Sequence, residues 1–269
     1  MTPAVGGGFL FLKNENFMKL IMPQNIYSSI FASQLKQIDK IELLYNQSSL
    51  LSKDLEFNTS AVALIPSLDL INHRNLFVSS KFALSFDGAL SNSFLYFTEG
   101  KRNLDKLFIR GDISINDILL TKIIFPERYS SNPEISLDPS SMAEKGKDYI
   151  VSGDENFSSW NFKKAISIAD EISELIDYPY VNYVFASPDK DAVEKFNDTV
   201  NPLDIQIDED IEIILKDLSL KPVAESFIIE NLGSLYYDMT DNEMNAVNEL
   251  MKLIFYHGII DDMFDVKFL

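Results

Sequence analysis

The chain has 269 residues, 46% of them hydrophobic, enough to fill a core, which excludes a disordered tail protein. It has no cysteine and only two histidines, His73 and His257, far apart, so disulfide scaffolds, thiolate zinc sites, cysteine nucleophiles and multi-histidine metal sites fall away. The formal net charge is −18, and it is uneven: residues 1–140 carry 13 Lys/Arg against 14 Asp/Glu, and residues 141–269 carry 10 against 27. Phosphate binding needs a basic footprint, so nucleic acid is not an expected partner, although backbone N–H groups in the neutral half could hold a small anion.

The first segment, "MTPAVGGGFLFLKNENF", has an apolar patch but neither a basic n-region nor a small-residue cleavage site, and no later stretch reaches membrane-span length. Cytoplasmic residence without a membrane is the expectation. "KIELLY" reads as a strand, "SSLLSKDLEF" as a short helix and "AVALIP" as the next strand: a βαβ unit with parallel strands. "AVALIP" stops at Pro66–Ser67. Such a stop is either an ordinary turn after a core strand or the kind of strand end that presents N–H groups to a cleft. "NSFLYF" and "KLFIRG" are further strands, and "INDILLTKIIF" carries a helical stripe of Ile118, Leu119, Leu120, Ile123 and Ile124 that Pro126 is expected to close. "KDYIVSGDENF" is a strand ending at Ser152–Gly153–Asp154, and "YVNYVFAS" is an aromatic and β-branched strand. The remainder is helical and acidic. "DKDAVEKFNDTV" is polar with one apolar edge. "TDNEMNAVNELMKLIFYHG" has a Thr240/Glu243 capping box, an apolar face from Met244 to Ile254 and a stop at Gly258. Strand–helix alternation, with strands ending in Gly, Ser or Asp turns, predicts an α/β fold with its site at strand ends.

Five segments in order, "KIELLYNQSSLLSKDLEFNTSAVALIPSLDL", "FALSFDGALSNSFLYF", "VSGDENF", "DYPYVNYVFAS" and "LGSLYYDMTDNEMNAVNELMKLIFYHGII", resemble the chorismate dehydratase family of the futalosine route to menaquinone. The resemblance implies a two-lobed type II periplasmic-binding-protein-like fold with mixed and parallel sheets and an interlobe cleft. Residues 1–88 and 182–269 would form a discontinuous first lobe and residues 89–181 the second, with crossovers near residues 85–90 and 180–187. It implies removal of water from chorismate or a related carboxylate, a carbon–oxygen lyase reaction, with no cofactor and no metal, in a monomer or homodimer. The catalytic set it implies is Asn14, Asp87 and Asp154, and the substrate-binding set is Lys13, Gly88, Ser91, Asn92, Ser114, Asn116 and Gly153. The chain departs from the family pattern at Lys13, at Ala89 and Asn92 after Asp87–Gly88, and in "DISIND", residues 112–117. Two alternatives therefore stand beside the enzyme: a non-catalytic binder of a small anionic or aromatic solute, and a scaffold that binds partners through its acidic half.

Overall fold

The computed structural model describes residues 17–100, 104–200 and 207–269. Chain order begins with β1 (Met18–Pro23), α1 (Ile26–Gln34), β2 (Ile41–Asn46), α2 (Leu51–Phe57), β3 (Val62–Pro66) and β4 (Phe77–Phe86). It continues with β5 (Ser93–Tyr96), β6 (Lys106–Gly111), α3 (Ile115–Tyr129), β7 (Glu134–Leu137), β8 (Asp148–Ser152), α4 (Glu155–Ser159), β9 (Ile166–Ser167) and α5 (Ile168–Ile176). The last part comprises β10 (Tyr180–Ser187), α6 (Lys190–Val200), α7 (Ile207–Asp217), α8 (Pro222–Glu230), β11 (Leu235–Asp238), α9 (Asp241–Tyr256) and β12 (Lys267–Phe268).

Two sheets organise two lobes. The first has the order β11-β4-β10-β3-β1-β2, with β12 added to β4, and the second has the order β7-β6-β8-β5-β9. The chain leaves the first sheet after Phe86, returns to it at Tyr180, and builds the second sheet in between. All eight residues of β10 are buried, because the strand pairs with β3 on one side and β4 on the other and is covered on both faces. That burial explains its unbroken apolar and aromatic run.

The predicted βαβ unit is present, with one addition. β2 and β3 are parallel, but both pair with β1, which lies between them. Consequently β1, β2 and β3 all end at the same edge of the sheet. In the second sheet, β6 and β8 are likewise parallel neighbours, with Gly111 opposite Ser152, and they end together. The two edges face one another.

One sequence expectation is corrected. Pro126 does not close α3, which continues to Tyr129 and ends at Ser130 in the left-handed region. Proline costs the helix one N–H and one carbonyl contact. Against that loss stand a Ser114/Asp117 capping box and the burial of Leu120, Ile123, Ile124 and Phe125 on its inner face. Among the described residues no helix is long and apolar enough to cross a membrane.

Candidate functional site

The cleft between the lobes has a volume of about 900 Å³. Lobe one lines it with Gln24, Tyr45, Asn46, Gln47, Ser49 and Asp69; lobe two contributes Gly111 to Ile115, Ile118 and Leu137. These residues lie at or just after the ends of β1, β2, β3 and β6, together with the first turn of α3 and the end of β7. Parallel strands ending at one edge place their turns side by side, which is why a cleft forms there.

At that edge lobe one presents three backbone donors, and lobe two accepts all three with side chains. After β1, the Ile26 N–H at the start of α1 donates to Asp154 Oδ1 at 2.9 Å. After β2, the Ser48 N–H donates to Asp112 Oδ1 at 3.0 Å, and its hydroxyl donates to Oδ2 at 2.6 Å. After β3, the Leu68 N–H donates to Asn116 Oδ1 at 3.0 Å. The Pro66–Ser67 stop thus does deliver a donor to the lobe interface, where the chain itself takes it.

Two glycine turns aim the acceptors. Gly111 has φ +92°, and a Cβ there would lie 2.1 Å from the Ser152 carbonyl oxygen. Gly153 has φ +77°, and a Cβ would lie 3.1 Å from Asp112 Cβ. The backbone clash restricts position 111 to glycine, the positive φ and tight contact favour glycine at 153, and each strand end reads Gly–Asp, at 111–112 and at 153–154. Behind Ser48 the polar chain continues: Tyr183 OH lies 2.8 Å from Ser48 Oγ, and Asn92 Nδ2 donates to that phenol at 3.3 Å.

The carboxyls feel this packing. Burial, ahead of the His73 and Ser52 contacts that favour the charged form, pushes Asp69 up to about 6. Asp69 is only 8% exposed, and its Oδ2 is buried with no hydrogen-bond partner in the protein. Asp154 is exposed by surface area, yet protein crowds its carboxyl; that desolvation, with Asp112 adding, pushes it up to about 6 despite the Ile26 N–H. Asp112 is also raised, first by burial.

The residues assigned from sequence distribute as follows. Ser114 lines the cleft, as the cap of α3, bonded to Asp117 at 2.7 Å. Asn116 and Asp154 bridge the lobes. Gly153 shapes the turn, donating to the Asn92 carbonyl at 2.7 Å. Ser91 is spent inside the protein: its Oγ accepts from the Ala169 N–H at 3.1 Å and donates to the Ser93 carbonyl at 2.7 Å. Asn92 is buried and turned toward Tyr183, with Oδ1 unpartnered.

Gly88, at φ +123°, accepts from Ser167 Oγ at 3.0 Å in the crossover. Among the described residues assigned from sequence only Ser114 lines the cleft, and Asp87 is a correction, because it lies away from the lobe junction. Strand pairing runs on past β4, with the Asp87 N–H donating to Ser234 at 3.0 Å, and the exposed side chain lines a separate depression with Asp170, Ser173 and Asp177. Lys13 and Asn14 lie outside the described residues. Sequence reasoning passed over Ser48, Asp69, Asp112 and Tyr183. The repeated Gly–Asp after two strands was the available signal for Asp112; nothing local marked Asp69.

The lobes also share apolar contacts. Tyr27 and Phe157 meet edge-on at 6.3 Å between ring centroids, and Phe162 and Phe227 meet tilted at 5.0 Å.

No protein-family model matches the sequence, and no curated protein matches it. Solved structures do. The fold is similar to the Candida albicans CA3427 gene product, a protein exhibiting the generic periplasmic binding protein fold, with TM-score 0.62, 10% identity and 92% of each chain covered. It is similar to protein AF1704 from Archaeoglobus fulgidus, with TM-score 0.60 and 14% identity over 92% of this chain and 100% of that one. It is also similar to SsuA, the periplasmic aliphatic sulphonate binding protein of Escherichia coli, with TM-score 0.55 and 9% identity over 94% and 96% of the two chains. The likeness establishes the fold: two α/β lobes of the periplasmic-binding-protein type.

Proposed function

We propose that the chain is a small-molecule-binding protein whose solute lies in the interlobe cleft. One observation carries the reading. A cleft of about 900 Å³ is walled by polar Gln24, Asn46 and Ser114 together with apolar Ile113, Ile115, Ile118 and Leu137, the mixture that organic ligands occupy in small-molecule sites. The sulphonate-binding neighbour supports it, since a protein of this fold holds a small organic solute. A thermal-shift screen of amino acids, amines, sugars and aromatic acids tests it. At least one class should stabilise the wild type and not Ile118→Trp, which fills the wall. No shift across all classes sinks the reading.

A catalytic reading, water removal from chorismate or a related carboxylate, has one observation in its favour. The Asp154 carboxyl at the lobe junction is pushed up to about 6, a range suited to a general acid or base near neutral pH. Against it, Ser91 and Asn116 are engaged within the protein, and Asp87 lies elsewhere. Ultraviolet monitoring of chorismate decides. Loss of chorismate that stops in Asp154→Asn supports turnover, and no loss leaves the binder.

A further inference from the structure

We propose that lobe two plugs the anion-accepting positions of lobe one with its own Asp154, Asp112 and Asn116, so that the cleft excludes carboxylate solutes and admits a small organic amine beside Asp69. The ligand class rests on the solute-binding reading; the plug does not.

Backbone N–H groups at the ends of parallel strands and at a helix start are where anions bind in open α/β folds. Here Ile26, Ser48 and Leu68 supply three such groups, and each is already bonded, at 2.9, 3.0 and 3.0 Å, to an oxygen from the opposite lobe. Two of those oxygens belong to carboxyls. A carboxylate solute would find these donors taken and the like-charged Asp112 carboxyl on the wall, in a cleft whose walls weaken solvent screening. The walls point the same way. Among the described residues lining the cleft there is no Lys or Arg, and the ionisable ones are Asp69, Asp112 and Tyr45.

Asp69 is the group that would hold a cation. It lines the cleft, is 8% exposed and has a buried Oδ2 with no hydrogen-bond partner in the protein, while Ser52 and His73 near the carboxyl favour its charged form. A buried carboxyl in that condition gains from a cationic or N–H donor. Tyr45, which lines the same cleft, is 45% exposed, and an aromatic face in such a cleft suits an ammonium on an apolar body. Ile115, Ile118 and Leu137 supply the surface for that body.

Benzylamine and benzoate form a matched pair of opposite charge, and calorimetry with both is the test. Wild-type protein should bind benzylamine at least about ten-fold more tightly than benzoate. Asp69→Asn should weaken benzylamine about ten-fold and should not weaken benzoate. In Asp112→Ala with Asp154→Ala the preference should shrink or invert as donors come free. Asp112→Asn serves if that variant does not fold, since it keeps an acceptor and removes a charge. Amide hydrogen exchange of solute-free protein tests the plug alone. The Ile26 and Ser48 amides should exchange slowly in the wild type and more than about ten-fold faster in the alanine variants, with β10 amides unchanged. Benzoate binding as tightly as benzylamine, no benzylamine binding, or an unchanged preference in the variants overturns the ligand class. Rapid exchange at Ile26 and Ser48 in the wild type overturns the plug. Failure of the solute-binding reading differs from both: it is silence across every solute class with slow amides intact.

Discussion

At the ends of β1, β2 and β3, lobe one meets lobe two with main-chain amides, those of Ile26, Ser48 and Leu68, whereas lobe two answers with the side chains of Asp154, Asp112 and Asn116. The difference lies in what fixes each set. The amides are aimed by strand pairing and by an Asn25 cap, through which the Asn25 Oδ1 receives the Ser28 N–H at 2.8 Å. Any sequence that makes these strands makes these donors. The acceptors are residue choices on top of a fold that would stand without them. A fold of this kind can therefore keep its donor edge while changing what occupies it. Asp69 is the exception on lobe one, a side chain that strand geometry does not dictate.

The sharpest way to break that comparison is at the turn that aims Asp112. At Gly111 a Cβ would sit 2.1 Å from a backbone oxygen, with φ at +92°, whereas at Gly100, φ +79°, nothing lies within 4 Å. Gly111→Ala should therefore cost about 3–4 kcal/mol and Gly100→Ala about 1–2 kcal/mol, measured by urea denaturation. Equal costs would mean that the close approach of Gly111 to Ser152 does not set the turn.

Asn116 comes next. Its Nδ2 donates to the Asn182 carbonyl at 2.7 Å and the Tyr180 hydroxyl at 3.0 Å, and it is 1% exposed. Asn116→Ala removes these bonds and leaves the Leu68 N–H without its acceptor, while the Tyr180 hydroxyl keeps Asn182 Oδ1, so a loss of about 2–3 kcal/mol is expected. A loss below about 1 kcal/mol would assign the lobe junction to the Tyr27–Phe157 and Phe162–Phe227 contacts instead.

The same contrast explains what the sequence made legible. Strands such as "AVALIP" and "YVNYVFAS" announced themselves because burial on both faces demands apolar runs, and α9 did so through its capping box. β1 went unread because six residues ending in proline look like many loops until β2 and β3 are seen to need a strand between them. Gly153–Asp154 and Asn116 could be placed at strand and helix ends, but their bonding partners, Ile26 and Leu68, lie 128 and 48 residues away. Hydrogen bonds at such separations follow from the lobes meeting, which no local pattern records. Asp87 failed for a related reason: pairing with the segment before β11 carries it past the cleft edge.

Asp69→Asn sharpens the exception. With Asp69 raised from 3.8 to about 6 in the folded protein, the folded state binds the proton more tightly than the unfolded one. The stability this gives is complete below pH 3.8 and lost as pH rises through about 6. An asparagine, neutral at every pH, avoids the loss. The variant should match the wild type at pH 3.5 and exceed it by about 1–3 kcal/mol at pH 8, read from denaturation at the two pH values. A wild type equally stable relative to the variant at both would show that Asp69 ionises without cost.

The smallest effect belongs to Asp154, and it tests whether lobe two truly holds a lobe-one donor. Its carboxyl is also raised to about 6, so the direction with pH is the same as for Asp69. Its exposed side, however, lets solvent screen the charge, so Asp154→Asn should gain less than about 1 kcal/mol at pH 8 and nothing below pH 4. The amide keeps an acceptor oxygen for the Ile26 N–H; alanine does not. Asp154→Ala should therefore be less stable than Asp154→Asn by about 1 kcal/mol at pH 8, the net worth of one hydrogen bond. The size is modest because Ile26 stands at the start of α1, where a released N–H can turn to water. Amide exchange at Ile26 separates the two variants more clearly than stability does, slow in asparagine and fast in alanine. Were the two to exchange alike, the donor after β1 would be held by the helix start alone, and the side-chain half of the comparison would reduce to Asp112 and Asn116.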